Sequence, residues 1–416
     1  MTIKQYDHCR LCGSKDISTV LDIGETALAN SYLTKNQLKG PEFKAPLEVF
    51  LCGGCGSVQL KHTVSADLLF KNYLYSSSTS GNLKEYFADY AKSVTQKASL
   101  TDKSFVVAIA SNDGVELRAF KNLGCKVLGV DPAENLVKIA NEEGLESICD
   151  FFTEVTANKI VEKYGLADLV VCNNCFAHCD DLHEIIRGIK KVLRPNGYFV
   201  FENAYLLNTI ENLDIGQIYH DHIFFHSIKP LVNLFRTHGL TIESVEKTPQ
   251  QCGSIRVYVK HCLPPDEPAL EVGKFISEEE SAGLYRVSTY YHFYDKVLML
   301  KAQLLDFLLN AKNKNQHVWI YGCPAKLATM AKVMGITDQL VDKIVDDSSF
   351  KQGLFAPETK IPIVPPKELK INRPDYCVIM AYNFVDLIVK KNADYLLGGG
   401  RFVVPLPEFK VISNPV

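Results

Sequence analysis

Between about residues 85 and 260, short runs of apolar and β-branched residues alternate with stretches of 3.6-residue periodicity. This alternation leaves few folds open. The strand-like runs are Phe105-Val106-Val107-Ala108-Ile109, Lys126-Val127-Leu128-Gly129-Val130, Leu169-Val170-Val171-Cys172 and Tyr198-Phe199-Val200-Phe201. The helix-like stretches lie between them, the last ending in Leu193-Arg194-Pro195-Asn196-Gly197. Parallel strands need a crossover segment, which these stretches supply, so the pattern predicts βαβ units and a mostly parallel sheet. A second series opens at His317-Val318-Trp319-Ile320-Tyr321-Gly322, passes through 344–347 and 376–380, and ends at 401–405. Between the two series, Pro264-Pro265 followed by Glu278, Glu279 and Glu280 reads as a linker and a helix start. That helix is expected to run to about Asn310, with Leu284, Val287, Val297, Leu300, Leu304 and Leu308 on its apolar face. Tyr290, Tyr291, Phe293 and Tyr294 read as packing residues. The expected fold class is α/β in three parts: a small domain over 1–65, an α/β domain over 66–262, and a second α/β domain over 263–416.

The first part carries Cys9-x2-Cys12 and Cys52-x2-Cys55, each knuckle followed by glycine. Four thiolates so arranged close a tetrahedral zinc site with no open position, so Cys9, Cys12, Cys52 and Cys55 are expected to bind a structural Zn2+. Thirteen cysteines is an odd count, and Met1-Thr2-Ile3-Lys4-Gln5 lacks the apolar region of a signal peptide, which disfavours a disulfide framework.

Two further segments carry chemistry. Ala108-Ile109-Ala110-Ser111-Asn112-Asp113-Gly114 ends a strand and precedes a helical stretch, and Asp131-Pro132 ends the next strand. An acidic residue at that spacing can accept both hydroxyls of a ribose, and the pattern suits a class I S-adenosylmethionine (SAM) fold better than a dinucleotide fold. Downstream, Tyr219-His220-Asp221-His222 packs two imidazoles, a phenol and a carboxylate among apolar neighbours. Histidine alone changes charge near neutral pH unaided, so the cluster is a candidate for proton transfer. His220 and His222 could share one strand face as a metal pair, with His226 as the third ligand in reach, or be satisfied surface histidines. Cys172-Asn173-Asn174-Cys175-Phe176-Ala177-His178-Cys179 also has ligand spacing, but reads better as structural thiols with a functional His178.

Hydrophobic residues make up 47% of the chain and its net charge is -3, which argues against disorder and against a global basic field for nucleic acid. No apolar run is long enough to cross a bilayer. A cytoplasmic protein without membrane or nucleic-acid partners is expected, acting as a monomer.

Taken together the motifs resemble the SAM-dependent sugar C-methyltransferases that act on nucleotide-linked 4-keto-deoxysugars, the 3-C-methyltransferases of branched-sugar biosynthesis. The likeness runs in order along nearly the whole chain. It takes in the CxxC pair with Leu28-Ala29-Asn30-Ser31-Tyr32 between its halves, Tyr75-Ser76-Ser77, Ser111 to Gly114 and Gly129 to Pro132. Asn174 to His178, Tyr219 to His222, Gly253 to Val257, Tyr321-Gly322-x3-Lys326, Ile361-Pro362-Ile363 and Val404 to Pro407 complete it. The resemblance implies an N-terminal zinc domain, a central class I SAM-methyltransferase domain and a C-terminal Rossmann-like domain, with the sugar nucleotide held between domains. By motif match, Ala110, Ser111, Asn112, Gly114, Asp131, Pro132 and Asn174 hold SAM, and Tyr75, His178, Tyr219, Asp221 and His222 line the sugar site.

In the implied reaction His222 removes the C3′ proton beside a C4′ ketone. Tyr219 or His178 donates a hydrogen bond to the developing enolate, and Asp221 fixes the imidazole or binds a sugar hydroxyl. The chain departs from the family loop Glu-x-Gly-Ser-Asn-Asp-Gly at Ala108 and Ala110, losing an acid and adding a methyl where backbone approaches the ligand. Asp221 is a shorter carboxylate in place of a glutamate; Cys323 and Tyr382 stand where alanine and tryptophan are expected, and these two changes read as packing. If the two alanines abolish SAM binding, the same base and enolate give a C3′ epimerase.

Overall fold

The computed structural model of the chain describes residues 3–71, 83–250, 253–262 and 269–414. Strands β1 (Ile3–Gln5), β2 (Ile17–Ala27), β3 (Lys44–Cys52), β4 (Val58–Leu60) and β5 (His62–Val64) form the N-terminal part. β1 pairs with β5, and β2, β3 and β4 run antiparallel in a second sheet. The central sheet contains β6 (Phe105–Ile109), β7 (Lys126–Asp131), β8 (Ser147–Cys149), β9 (Ala167–Asn173) and β10 (Leu193–Ala204). After the short β11 (Phe224–Phe225), it gains β12 (Leu240–Thr248) and β13 (Ser254–His261).

The central order is β12-β13-β10-β9-β6-β7-β8. β8, β7, β6, β9 and β10 are parallel, and β13 enters antiparallel between β10 and β12. This is the topology of a class I methyltransferase, as the alternation and the Asp131 spacing predict. Winding reverses between β6 and β9, and the crevice outside the carboxyl ends of these strands is where such sheets bind ligands. Val106, Val107, Ala108, Val170, Val171 and Val200 are fully buried because helices cover both faces of the sheet.

The C-terminal sheet holds β14 (Val318–Tyr321), β15 (Lys343–Val345), β16 (Ile363–Val364), β17 (Tyr376–Ile379), β18 (Arg401–Val404) and β19 (Lys410–Ile412). Its order is β16-β15-β14-β17-β18-β19, parallel apart from β19.

The acidic run Glu278-Glu279-Glu280 closes the helix Leu270–Ser281 instead of starting the long helix, which spans Val287–Asn313. The reason is Glu279, which is fully buried. Its carboxylate accepts from Ile228 N at 2.6 Å, Lys229 N at 3.2 Å, Tyr205 Oη at 2.9 Å and the Tyr285 hydroxyl. It thereby satisfies orphan N–H groups at the start of the helix Ile228–Thr237, which tethers the linker region to the central domain. Of the long helix's aromatic residues, Tyr290 and Phe293 are buried as expected, while Tyr291 is exposed.

The N-terminal sheet does not close on itself. β11, from the middle of the chain, pairs antiparallel with β4 through Phe224↔Gln59 and Phe225↔Val58. Leu60 N donates to Ile223 O at 2.9 Å. The segment just after Tyr219–His222 is therefore the fourth strand of the cysteine-bearing sheet.

Candidate functional site

The four cysteine sulfurs lie within 4.8 Å of one another, with Cys9–Cys55 and Cys12–Cys52 each at 3.6 Å. A zinc ion about 2.3 Å from each thiolate requires sulfurs roughly 3.8 Å apart, so the donor set fits the metal. Each knuckle turns back through its glycine: Gly13 N donates to Cys9 O and Gly56 N to Cys52 O, at φ values of 73° and 81°. Leu11 N and Gln59 Nε2 donate to Cys9 Sγ at 3.4 and 2.9 Å, orienting a thiolate from outside the ligand set. Among the described residues this is the one cluster of three or more His, Cys, Asp or Glu arranged to hold a metal. His220, His222 and His226 do not form one.

At the crevice, Ala110 N donates to Val130 O at 2.8 Å, carrying the chain from β6 across to β7. Ala110, Asn112, Gly114 and Asn174 all have positive φ, at 55°, 52°, 82° and 52°. Alanine thus adopts the left-handed conformation that glycine would take without strain. A side chain on Gly114 would lie 2.5 Å from Leu145, and one on Gly129 would lie 2.4 Å from Ser111 Oγ. Asp131 accepts from Asn112 N at 2.9 Å through Oδ2 and from Ala133 N at 2.8 Å through Oδ1. Burial raises its carboxyl to about 6 against these N–H groups. Both oxygens retain lone pairs for further donors such as ribose hydroxyls. Ser111 Oγ and Asn173 Oδ1 are buried with no hydrogen-bond partner among the described residues, which leaves both free to bond a ligand. Pro132 and Asn174 border the same crevice at the ends of β7 and β9. These residues fit SAM.

Four residues past Asn174, a 3-10 turn over Phe176–His178 brings His178 beside the Tyr219–His222 cluster. Ile223 N donates to Ala177 O at 2.9 Å, locking the two segments together. The ring centroids of His178 and His222 are 5.0 Å apart, and those of Tyr219 and His222 are 4.2 Å apart. His178 stacks on Phe70, and its Nε2 is buried without a partner among the described residues. His222 Nδ1 is 2.7 Å from Gln217 O, and Nε2 is 3.0 Å from Tyr219 Oη. A carbonyl only accepts, so Nδ1 carries the proton and the Nε2 lone pair receives the Tyr219 hydroxyl. Burial lowers His222 to about 4, partly offset by the Gln217 carbonyl and Asp214, so the ring is neutral at pH 7.

The sequence reading needs correction here. Residues 219–222 form a turn and not a strand, so His220 and His222 do not share a face. His220 is buried and donates from Nε2 to Ala45 O of β3 at 3.0 Å, pinning the turn to the N-terminal part. Asp221 does not orient the imidazole, because Gln217 O does. Asp221 is buried, its Oδ1 has no hydrogen-bond partner among the described residues, and burial raises its carboxyl to about 7. Tyr75 lies outside the described residues.

The structure adds residues that the sequence reading passed over. Gln217 Nε2 donates to Asp214 Oδ2 at 3.0 Å, and Asp214 receives the Tyr382 hydroxyl and lies 3.6 Å from Lys326 Nζ. Tyr382, expected to alter packing alone, thus reaches across from the C-terminal part to the carboxylate that holds Gln217. Gly216 permits this approach, since a side chain there would lie 2.7 Å from Lys326 and 2.8 Å from Tyr382. The one sequence signal for Asp214 and Gln217 was their polarity between apolar residues just before Tyr219.

Comparison with known proteins follows the same three parts. A family model for a zinc binding domain matches residues 9–70, a methyltransferase domain model matches 83–245, and the C-methyltransferase C-terminal domain model matches 249–407. The C-methyltransferase NovU of Streptomyces niveus is 33% identical over 411 residues, covering 99% of this chain and 98% of NovU. The ubiquinone biosynthesis O-methyltransferase of Xanthomonas oryzae pv. oryzae (strain PXO99A) is 31% identical over 94 residues, covering 22% of this chain and 39% of that protein. Among solved structures, the PH0226 protein of Pyrococcus horikoshii OT3 aligns at a TM-score of 0.36 and 15% identity, covering 45% of this chain and 94% of that one. Among the described residues no helix is long and apolar enough to cross a membrane.

Proposed function

This chain belongs to the SAM-dependent C-methyltransferases and carries their structural zinc site, and on that premise we propose that it methylates C3′ of a nucleotide-linked 4-keto-6-deoxysugar. The observation that carries the reading is the Gln217–His222–Tyr219 arrangement: a neutral imidazole whose protonated nitrogen is fixed by a carbonyl and whose basic nitrogen faces a phenol. A proton next to a ketone is too weak an acid to leave unaided at neutral pH, and this arrangement answers that need.

His222 Nε2 takes the C3′ proton. The Tyr219 hydroxyl, which donates to Nε2 in this structure, turns to the developing enolate oxygen and so frees the base as it stabilises the charge. His178 Nε2, unpartnered beside His222, is the second donor, and Tyr75 completes the sugar site by motif match. Asp221 is left to accept a sugar hydroxyl. Asp214 steadies the imidazolium through Gln217 and by its own charge, while Tyr382 and Lys326 hold Asp214. SAM, when bound, supplies the electrophilic methyl, and the crevice residues Ala110 to Gly114, Asp131, Pro132 and Asn174 orient it against the nucleophilic carbon. Domains over 1–65, 66–262 and 263–416 divide the work into metal-held frame, methyl donor and sugar-nucleotide clamp. The zinc takes no part in the chemistry; its sheet holds the turn that bears the base. The reaction belongs to branched-sugar biosynthesis in the cytoplasm, carried out by a monomer.

The epimerase alternative is not favoured. Ala110 accommodates the left-handed backbone of the SAM loop, and NovU, 33% identical over 99% of this chain, is a C-methyltransferase. The reading is tested by incubating purified protein with SAM and a panel of dTDP-, GDP- and CDP-linked 4-keto-6-deoxysugars. Mass spectrometry should find the gain of one methylene in one of them, and methylation of none would reject the reading.

A further inference from the structure

At the carboxyl end of the central sheet, one face carries a buried polar row. Asn173 of β9, Glu202 of β10 and Arg256 of β13 stand opposite one another in register. Tyr86 and Tyr90, from the helix Leu83–Lys97, pack over them. Arg256 is committed to Glu202 at 3.0 Å and lies 3.6 Å from Glu246, and Glu202 also receives the Tyr86 hydroxyl.

Into this row the helix Val115–Asn122 projects Glu116, two residues after Gly114 of the SAM loop. Glu116 is 5% exposed and accepts from Asn173 Nδ2 at 2.7 Å. Among the described residues, no Lys, Arg or His lies within ion-pair distance of it. Burial and the nearby Glu202 charge raise its carboxyl to about 8, against the Asn173 hydrogen bond and the field of Arg256. A buried acid whose nearest guanidinium is already paired with Glu202 is costly to a fold and points to a cationic ligand. Glu202 of β10 is taken up by Arg256, and strand β6 supplies no acid of its own in this corner. Ala108, at the end of β6 on the same face, is fully buried among Leu117, Phe120 and Tyr90. Asn173 bridges Glu116 to the crevice, for it adjoins Asn174 and its own Oδ1 is buried and unpartnered.

We propose that Glu116, presented by the helix after the SAM loop and steadied by Asn173, is the counter-charge for the methionine ammonium of SAM, the task for which β6 offers only Ala108. The inference rests on the methyltransferase reading and extends it to a residue outside the loop motif. Asn173 then uses its amide to orient the carboxylate and its unpartnered oxygen to accept an ammonium proton.

Isothermal titration of the full-length protein decides the matter, using SAM and 5′-methylthioadenosine, which shares the nucleoside and thioether but lacks the amino-acid group. Loss of one charge-assisted hydrogen bond is worth about tenfold or more in affinity, so E116Q should bind SAM roughly tenfold or more weakly. Its affinity for 5′-methylthioadenosine should stay within about twofold, and E116D, which keeps the charge on a shorter arm, should fall between E116Q and wild type for SAM. E116Q binding SAM as wild type does would overturn the proposal, and so would equal losses for both ligands, which mark a structural role. Wild-type protein that binds no SAM would instead bring down the methyltransferase reading itself.

Discussion

Asp221 gives the clearest energetic test, because its cost comes from burial alone. The residue is 2% exposed, and its carboxyl rises from an ordinary 3.8 to about 7. A carboxyl with a folded value above its unfolded value holds its proton more tightly in the fold. The folded state therefore loses stability as pH rises through the window from about 4 to 7, and the loss is complete above it. At 1.36 kcal/mol per unit, a rise of roughly three units corresponds to about 4 kcal/mol. Asparagine is nearly isosteric and does not titrate. D221N should match the wild type near pH 4 and exceed it by about 4 kcal/mol at pH 8, which is roughly 10 °C in the melting of a domain this size. The assay is thermal unfolding of both proteins in matched buffers between pH 4 and 8, following the transition of the central domain. A gap that does not change with pH, or a variant less stable than wild type at pH 8, would refute the argument from burial.

Replacing Cys52 by serine should reduce bound zinc from about one equivalent to near none, measured by elemental analysis. Turnover should fall with it, since β4 pairs with β11 beside the His222 turn. SAM affinity, followed by calorimetry, should fall as pH drops below about 6, because protonating Asp131 removes acceptors for the ribose hydroxyls. Affinity independent of pH between 5 and 7 would contradict the Asp131 contact. A110G relieves a left-handed alanine at φ 55°, a strain of about 1–2 kcal/mol against about 0.5–1 kcal/mol of added chain entropy. It should leave SAM affinity equal or higher and stability slightly raised, and a loss of SAM affinity would show that the Ala110 methyl is needed.

The parts of this protein governed by short-range physics were legible in the sequence. Strand β6 at Phe105–Ile109 matches the run read from the chain, because a stretch of consecutive apolar residues there has nowhere to go but a doubly covered sheet. The zinc knuckles were equally plain, since ligand spacing is local chemistry. The errors fall where long-range partners decide. The acidic run at 278–280 looked like a solvated helix start, and nothing near it in sequence announces that Glu279 answers Tyr205, Ile228 and Lys229. The Tyr219–His222 segment alternates like a strand, yet Ala45 draws His220 one way while Gln217 draws His222 another. Of the two tasks open to Asp221, fixing the adjacent imidazole falls instead to a backbone carbonyl, because a turn directs neighbouring side chains apart. Tyr382 seemed a packing change because its partner, Asp214, lies in another part of the chain.

The central claim is that His222 takes the C3′ proton before the methyl is transferred. Its most direct test follows C3′ by NMR in deuterated water, using the nucleotide-4-keto-6-deoxysugar that the wild type accepts, for wild type and H222Q. Wild type should wash deuterium into C3′ without SAM and give the C3′-methylated sugar with it, whereas H222Q, still binding SAM as wild type does, should do neither. Exchange and methylation at wild-type rates in H222Q would contradict the account.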